Sequence, residues 1–352
     1  MPDWMFWILG FVFGPVPIAG IAIVGFYAYY RFRYVDVIIR IFEEKPLFII
    51  PRGNPIDGAE DVRIPTPEGL ILRGYYRKTP AAVRRGVILF GLEYGSSRWS
   101  SVSYSDRLSA IGYDVFTYEP RNQGDSDKDS TYEPMPWSTD RDLADMRTAI
   151  KYLHYRPDAD PAGVGIFGIS KGGSLGLLIA SEDRLVRCVA TDGAFGTYTT
   201  VVPFLRKWVG IYLKRRNWIR KRIPDWFYGM LGLAAIKKVA KKRNIEFVSV
   251  EKAVRRMKQP LLMIHGGGDN YIKPEMAETL FSQAKRVTAK ELWIVPGAKH
   301  NLALHVAREE YHAKVIAFFD RHLGGNVPQP AAAPMPRLPV DERPLVPVVA
   351  AR

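Results

Sequence analysis

The sequence contains a single cysteine, Cys188, among its 352 residues. One cysteine cannot form an intramolecular disulfide, and it cannot supply a Cys₄ or Cys₂His₂ zinc site. It lies in an apolar run that is typical of a buried strand, so we expect a structural thiol. The sequence also lacks the polar bias of disordered chains, because 47% of its residues are hydrophobic and 24% are charged. Disulfide-framework, collagen-like and wholly disordered proteins are therefore excluded.

Acidic residues are scarce in one part of the chain. The sequence has 50 Lys and Arg residues against 36 Asp and Glu residues, a formal net charge of +14. Between Arg206 and Lys258 there are 17 basic residues and 3 acidic ones. This segment alone accounts for the positive excess, and the remainder of the chain is neutral overall. The basic segment predicts an acidic partner.

Charged residues are absent from Trp4 to Tyr30. The run is longer than the roughly 20 residues that a helix needs to cross a bilayer. A signal peptide is the alternative, but no positive segment precedes the run, and it exceeds the roughly 7–15 apolar residues of a signal peptide. We therefore expect a single-pass membrane anchor. Arg31 and Arg33 follow it and Asp3 precedes it, which predicts that the remaining chain is cytoplasmic.

The rest of the chain shows an alternation of strand-like and helix-like segments. Residues 31–60 form an amphipathic connector, and from 61 to 324 short apolar strands alternate with helices. This pattern predicts an α/β fold, with a mainly parallel sheet covered by helices on both faces. A basic and aromatic insert at about 195–258 interrupts the alternation and is a candidate helical cap. Residues 325–352 are rich in Pro and Ala, which predicts a disordered tail.

A G-x-S-x-G motif occupies residues 168–172, with Ser170 at its centre. It lies directly after one predicted strand and directly before a predicted helix. A serine that projects above a sheet needs a tight turn, and flanking glycines let the neighbouring backbone approach it closely. The motif therefore predicts a nucleophilic serine. The alternative is a tight turn with a helix-capping serine.

A serine nucleophile needs a histidine base and an acid that orients the histidine. The best-placed of the 6 histidines is His300, in a loop between the last predicted strand and the last predicted helix. The favoured acid is Asp269, which follows a strand and a run of three glycines. Asp192 follows the preceding strand and is the competing acid. Either aspartate could instead cap the segment that follows it.

In these motifs the chain resembles the α/β-hydrolase fold superfamily. The order Ser170, Asp269, His300 is the order of that family, and the resemblance covers approximately residues 61–324. It implies an oxyanion hole formed by the backbone N–H groups of Lys171, which follows the serine, and of Leu92, in the loop after the third strand. Many relatives have His-Gly where this chain has Phe-Gly at 90–91.

The resemblance implies a serine hydrolase that cleaves acyl esters or thioesters through an acyl-enzyme intermediate. The predicted anchor and the basic insert add the expectation that the enzyme is membrane-anchored and that its substrates are lipid-like. No metal or organic cofactor is indicated by the sequence, and the expected partner at the site is a small acyl substrate. The alternative is a catalytically silent module of the same fold that binds lipid, nucleic acid or protein. The complete set of serine, histidine and aspartate favours the enzyme.

The insert mixes cations with aromatic side chains, most densely at 206–228. We expect this basic cap to bind the anionic surface of a membrane, since each basic side chain near such a surface contributes about 1 kcal/mol. A solvated lid without a ligand is one alternative. Nucleic acid is a less favoured partner, although basic and aromatic residues also suit phosphates and bases. The sequence does not indicate an oligomeric state.

Overall fold

A computed structural model describes residues 2–43, 52–212 and 223–324. The chain divides into two compact units, Met1–Glu44 with Tyr198–Ile245, and Lys45–Thr197 with Glu246–Arg352. Three predicted regions fall wholly or partly outside the described residues: part of the connector at 44–51, the centre of the basic insert at 213–222 and the Pro-rich tail at 325–352.

An eight-stranded sheet forms the centre of the second unit. Its spatial order is β1-β2-β4-β3-β5-β6-β7-β8; the pairs β1–β2 and β2–β4 are antiparallel, and all the other pairs are parallel. The mainly parallel sheet predicted from the sequence is thus confirmed. The strands are β1 (Glu60–Pro65), β2 (Ile71–Arg77), β3 (Gly86–Gly91), β4 (Tyr113–Tyr118), β5 (Val164–Ile169), β6 (Val186–Asp192), β7 (Leu261–Gly266) and β8 (Lys290–Val295).

Helices cover both faces of this sheet. Successive side chains of a strand point to opposite faces, so each strand contributes apolar side chains to two separate layers. On β3, Val87 and Leu89 belong to one buried apolar cluster, whereas Ile88 and Phe90 belong to another. The first cluster includes residues of α4 (Asp140–His154), α5 (Lys171–Ala180), α8 (Val250–Arg256) and α9 (Pro274–Ser282). The second includes residues of α3 (Val102–Ala110), α10 (Ala303–Val306) and α11 (Arg308–His322). Cys188 lies in the second cluster and is fully buried, as expected.

Two helices replace the single membrane span predicted over residues 4–30. They are α1 (Asp3–Phe13) and α2 (Pro15–Glu43), separated by Gly14 in an extended conformation. Pro15 begins the second helix, a position where its missing N–H is harmless. Among the described residues, no helix combines the length and the apolar composition that a bilayer span requires, and this includes α1 and α2. The prediction of a spanning anchor is therefore not supported.

The first unit joins these two helices to helices of the insert, α6 (Val201–Tyr212) and α7 (Asp225–Arg243). A Cβ atom on Gly232 of α7 would lie 2.0 Å from the Val201 side chain, so the glycine permits the close approach of α6 and α7. Arg243 Nε donates to Glu43 of α2 at 3.0 Å.

Two predicted boundaries differ from the structure. Helix α2 extends through residues 31–43, which the sequence had assigned to a connector, and α8 packs with the second unit rather than with the insert. The predicted last helix is divided at Ala307.

Candidate active site

Ser170 lies at the turn between β5 and α5. Its backbone has φ 51° and ψ −115°, a conformation that side-chain-bearing residues rarely adopt. The turn is tight, since a Cβ atom on Gly168 would lie 2.6 Å from backbone atoms of Gly172. Ser170 N donates to Asp192 O at 2.7 Å, which ties the turn to the end of β6. The two flanking glycines therefore serve the close approach that the motif predicts.

His300 and Asp269 follow β8 and β7, so both lie at the same edge of the sheet as Ser170. Ser170 Oγ is 3.0 Å from His300 Nε2, and His300 Nδ1 is 2.6 Å from Asp269 Oδ2. Asp269 Oδ1 accepts hydrogen bonds from the backbone N–H groups of Tyr271 at 2.8 Å and Ile272 at 2.9 Å. These two bonds fix the carboxylate plane and leave Oδ2 facing the imidazole.

This arrangement suits nucleophilic catalysis. An imidazole with its Nδ1–H held by a carboxylate presents an unprotonated Nε2, which can accept the hydroxyl proton of the serine as the oxygen attacks. His300 is the histidine that hydrogen-bonds Ser170 within the described residues. His265 lies 3.5 Å from Asp269 Oδ2, but burial lowers its pKa, and its Nε2 lies 2.7 Å from the carbonyl of Ile272.

The competing acid, Asp192, occupies a different environment. Its Oδ2 accepts a hydrogen bond from the Tyr311 hydroxyl at 3.0 Å, and its Oδ1 has no hydrogen-bond partner in the part of the chain that is described. Full burial raises the pKa of Asp192 to about 7. The structure thus brings Asp269, and not Asp192, into contact with the histidine.

The predicted oxyanion donors belong to two loops that touch. A Cβ atom on Gly172 would lie 2.3 Å from the carbonyl group of Gly91, so the chain after β3 meets the start of α5 here. Lys171 is the first residue of α5, where a backbone N–H has no intrahelical acceptor. Its ammonium group is engaged elsewhere, 2.8 Å from Asp142 Oδ1 and 2.7 Å from Met135 O. The backbone N–H groups of Leu92 and Lys171 therefore stay the predicted donors, with Leu92 itself buried.

Glu93 and Asn301 form a contact that the sequence did not predict. Asn301 Nδ2 donates to Glu93 Oε2 at 2.6 Å, and both residues are buried. Asn301 follows His300 directly and has φ 57°, while Glu93 follows Leu92. Burial is the main cause that raises the pKa of Glu93 to about 7, although Asn301 and His300 oppose the rise. The carboxyl group next to the predicted oxyanion loop is therefore mainly neutral in weakly acidic solution.

Glu93→Gln is expected to stabilise the protein at pH 8 and not at pH 4. A folded pKa of about 7 lies above the ordinary glutamate value of about 4.3. Between these values the native state binds more protons than the unfolded chain, so the wild-type free energy of unfolding falls as the pH rises through that window. Glutamine does not titrate and can still accept the Asn301 hydrogen bond. The free energy of unfolding of the variant should exceed that of the wild type by roughly 4 kcal/mol at pH 8 and match it near pH 4.

Urea denaturation at both pH values measures this difference. The matched control is Glu278→Gln, at an exposed position of α9, which should change the free energy of unfolding by less than about 0.5 kcal/mol at either pH. A Glu93→Gln variant that is less stable than the wild type at pH 8 would contradict the buried, largely neutral carboxyl group.

Comparisons with known proteins agree with this architecture. The sequence profile of the prolyl oligopeptidase family matches residues 112–326, more than half of the chain. The uncharacterized protein YfhR of Escherichia coli K12 is 24% identical over 229 residues, which are 64% of this chain and 61% of that protein. The chain thus spans about three fifths of the length of this relative.

Two further proteins carry names that describe an activity. The thiohydrolase apmlB of Arthrinium phaeospermum is 28% identical over 205 residues, 56% of this chain and 65% of that protein. Among solved structures, the esterase Pf2001 of Pyrococcus furiosus superposes with a TM-score of 0.58 and 21% identity, covering 79% of this chain and 98% of that one. At this identity the superposition shows a shared fold. Together with the family match, it establishes that the chain belongs to the prolyl oligopeptidase family of the α/β-hydrolase superfamily.

Proposed function

We propose that this protein is a serine hydrolase that cleaves acyl ester or thioester bonds of lipid-like substrates. The observation that carries the proposal is the continuous chain of contacts from Ser170 Oγ through His300 to Asp269, at 3.0 Å and 2.6 Å. The strained backbone of Ser170 supports it, because such strain is concentrated at functional sites. A silent binding module would have no need for this geometry.

The proposed mechanism has two halves. Ser170 Oγ attacks the carbonyl carbon of the acyl group, and His300 Nε2 takes the hydroxyl proton. The resulting oxyanion accepts hydrogen bonds from the backbone N–H groups of Leu92 and Lys171. When the bond to the alcohol or thiol breaks, His300 returns the proton to the leaving group, and an acyl-Ser170 ester remains. Water, activated by His300, then hydrolyses this ester and regenerates the serine.

Two substrate classes are supported by the relatives. The names of the Pyrococcus esterase and the Arthrinium thiohydrolase favour oxygen and sulfur esters. The match to the prolyl oligopeptidase family favours a second candidate, the hydrolysis of a peptide amide. Both classes proceed through an acyl-serine, so the triad does not separate them. We favour esters because the names of the esterase and the thiohydrolase both point to this class.

Covalent labelling with a fluorophosphonate tests the proposed nucleophile. The purified full chain is treated with the probe, digested, and analysed by mass spectrometry. We expect one modified peptide, with the phosphonyl group on Ser170. Prior incubation with an acyl thioester, an acyl ester or a peptide anilide then shows which class delays labelling, and we expect the esters to do so.

Ser181→Ala is the matched control, since it removes a half-buried hydroxyl at the opposite end of α5, where Ser181 Oγ donates to Leu178 O at 2.8 Å, and it should leave labelling unchanged. Absence of labelling in a folded protein, shown by a cooperative thermal transition, would overturn the proposal and favour the silent module. Protection by the peptide anilide alone would replace ester hydrolysis with peptide hydrolysis while leaving the nucleophile assigned.

A further inference from the structure

The first unit exposes an unusual amount of apolar surface. Eleven large hydrophobic side chains between residues 4 and 32 are 49–83% exposed. On α1, Trp4, Trp7 and Phe11 follow a spacing of three and four residues, so they lie along one face of the helix. On α2 the exposed series runs from Ile18 to Phe32. A group of exposed apolar side chains of this number and size marks an interaction site.

A basic groove lies between α2 and α7 of the same unit. It has a volume of about 380 Å³, and its wall includes Arg31, Lys237, Lys238 and Lys241. Asp36 is its single acidic residue and is paired with Lys238 at 2.7 Å. Lys237 and Lys241 are exposed, lie one turn apart on α7, and form no ion pair within the described residues. The positive charges of Lys237 and Lys241 in the groove wall are therefore not paired with an acidic side chain among the described residues.

The apolar surface and the basic groove are continuous. Phe32 is 83% exposed and is also part of the groove wall, next to Arg31. An apolar helical face rich in Trp and Phe that ends in a cluster of basic side chains is typical of segments that lie in the interface of a bilayer. Basic side chains at that depth are attracted by anionic headgroups.

We propose that the first unit docks on an anionic phospholipid membrane. The exposed side chains of α1 and α2 enter the interfacial region of the bilayer, and Arg31, Lys237 and Lys241 bind the phosphate of an anionic headgroup in the groove. Anionic lipids of this kind are typical of the cytoplasmic leaflet. The proposal does not depend on the catalytic assignment, because these residues and the triad belong to different units.

A second copy of the chain is a poorer occupant for this surface. Protein interfaces combine apolar contacts with a polar rim and several hydrogen bonds. Residues 4–30 carry no charged side chain, and the charged residues at the groove are mainly basic. A second copy would add the same positive charges, whereas an anionic lipid surface would neutralise them.

Vesicle flotation of the purified full chain tests the proposal. Neutral vesicles of phosphatidylcholine are compared with vesicles that contain 30% phosphatidylserine. The chain carries a net charge of +14, so nonspecific attraction must be controlled. Lys237→Glu/Lys241→Glu is therefore paired with Lys285→Glu/Arg286→Glu, which makes the same charge change at exposed positions of the second unit.

We expect the α7 double variant to bind the anionic vesicles at least tenfold more weakly, since each basic side chain near such a surface contributes roughly fivefold in affinity. The control double variant should lose less than threefold. Trp7→Ser should weaken binding to both kinds of vesicle, whereas Tyr155→Ser, at an equally exposed aromatic of the second unit, should weaken neither.

Three outcomes would overturn the proposal. The two double variants could lose the same vesicle affinity, or the wild-type chain could fail to float with anionic vesicles. The third outcome is that the chain does not bind vesicles but forms concentration-dependent dimers that Trp7→Ser dissociates. The last result would identify a second copy of the chain as the occupant. Addition of free inorganic phosphate should not release the bound protein, which separates headgroup binding at a surface from binding of soluble phosphate. Fluorophosphonate labelling of the four variants in solution, without vesicles, should be the same, so a failure of membrane binding is distinct from a failure of the catalytic proposal.

Discussion

Ser170→Ala and His300→Ala are each expected to lower kcat by about 10⁶-fold, and the double variant is expected to be no slower than either single variant. The two residues act in one step, because the hydroxyl is a poor nucleophile until Nε2, at 3.0 Å, accepts its proton. Removal of one partner leaves the other without a function. The rate that remains should come from substrate binding and from the oxyanion donors alone.

Steady-state hydrolysis of the substrate that best delays labelling measures these effects. Ser174→Ala is the matched control, because Ser174 is also buried and lies one turn along α5, where its Oγ donates to Phe195 O at 2.9 Å. The Ser174→Ala substitution should shift the thermal transition and leave kcat nearly unchanged. If the loss of kcat in Ser170→Ala/His300→Ala were the product of the two single losses, the two side chains would act independently. This result would contradict the proposed proton transfer from Ser170 to His300.

The sequence was most informative where chemistry depends on local backbone. The turn at Ser170 is specified by five consecutive residues, and a Cβ atom on its glycines would approach backbone atoms as closely as 2.3 Å. Asp269 and His300 were found without any contact information, because the carboxyl ends of parallel strands meet at one edge of a sheet. The order of strands and helices therefore placed three distant residues together.

Contacts between distant segments left no such signal. Glu93 and Asn301 are 208 residues apart, and nothing in either neighbourhood indicates that one amide would meet one carboxyl group. Glu93, which follows a predicted oxyanion donor, is a buried group whose pKa is raised to about 7. The protonation state of this group depends mainly on its burial, and burial is a property of the whole fold.

The N-terminal helices show the same limit on a larger scale. Hydropathy favoured one continuous span over residues 4–30, but the chain is extended at Gly14 and begins a new helix at Pro15. Hydropathy also gave no sign that α2 would pack with α7, about 200 residues later. That partnership depends on side chains such as Phe227, whose ring lies 5.5 Å from that of Phe26. Composition predicted the apolar and basic surfaces, but not that one unit carries both.

The assignment of the acid leads to the second large effect. Asp269→Asn is expected to lower kcat by about 10⁴-fold. Because Oδ1 accepts two backbone hydrogen bonds, an asparagine here should keep its carbonyl oxygen in that place and turn its NH₂ group toward His300. The amide would then donate to Nδ1, which forces the ring proton onto Nε2. In that tautomer the imidazole cannot accept the proton of Ser170.

Asp192→Asn is the matched control for this prediction. The side chain is fully buried, its pKa is raised to about 7, and it accepts a hydrogen bond from Tyr311, which an asparagine oxygen can also accept. At pH 6 the wild-type group is mainly protonated, so the substitution exchanges one neutral group for another and kcat should stay within about threefold. If Asp192→Asn instead caused the larger loss in a protein with an unchanged thermal transition, Asp192 would be the acid of the site.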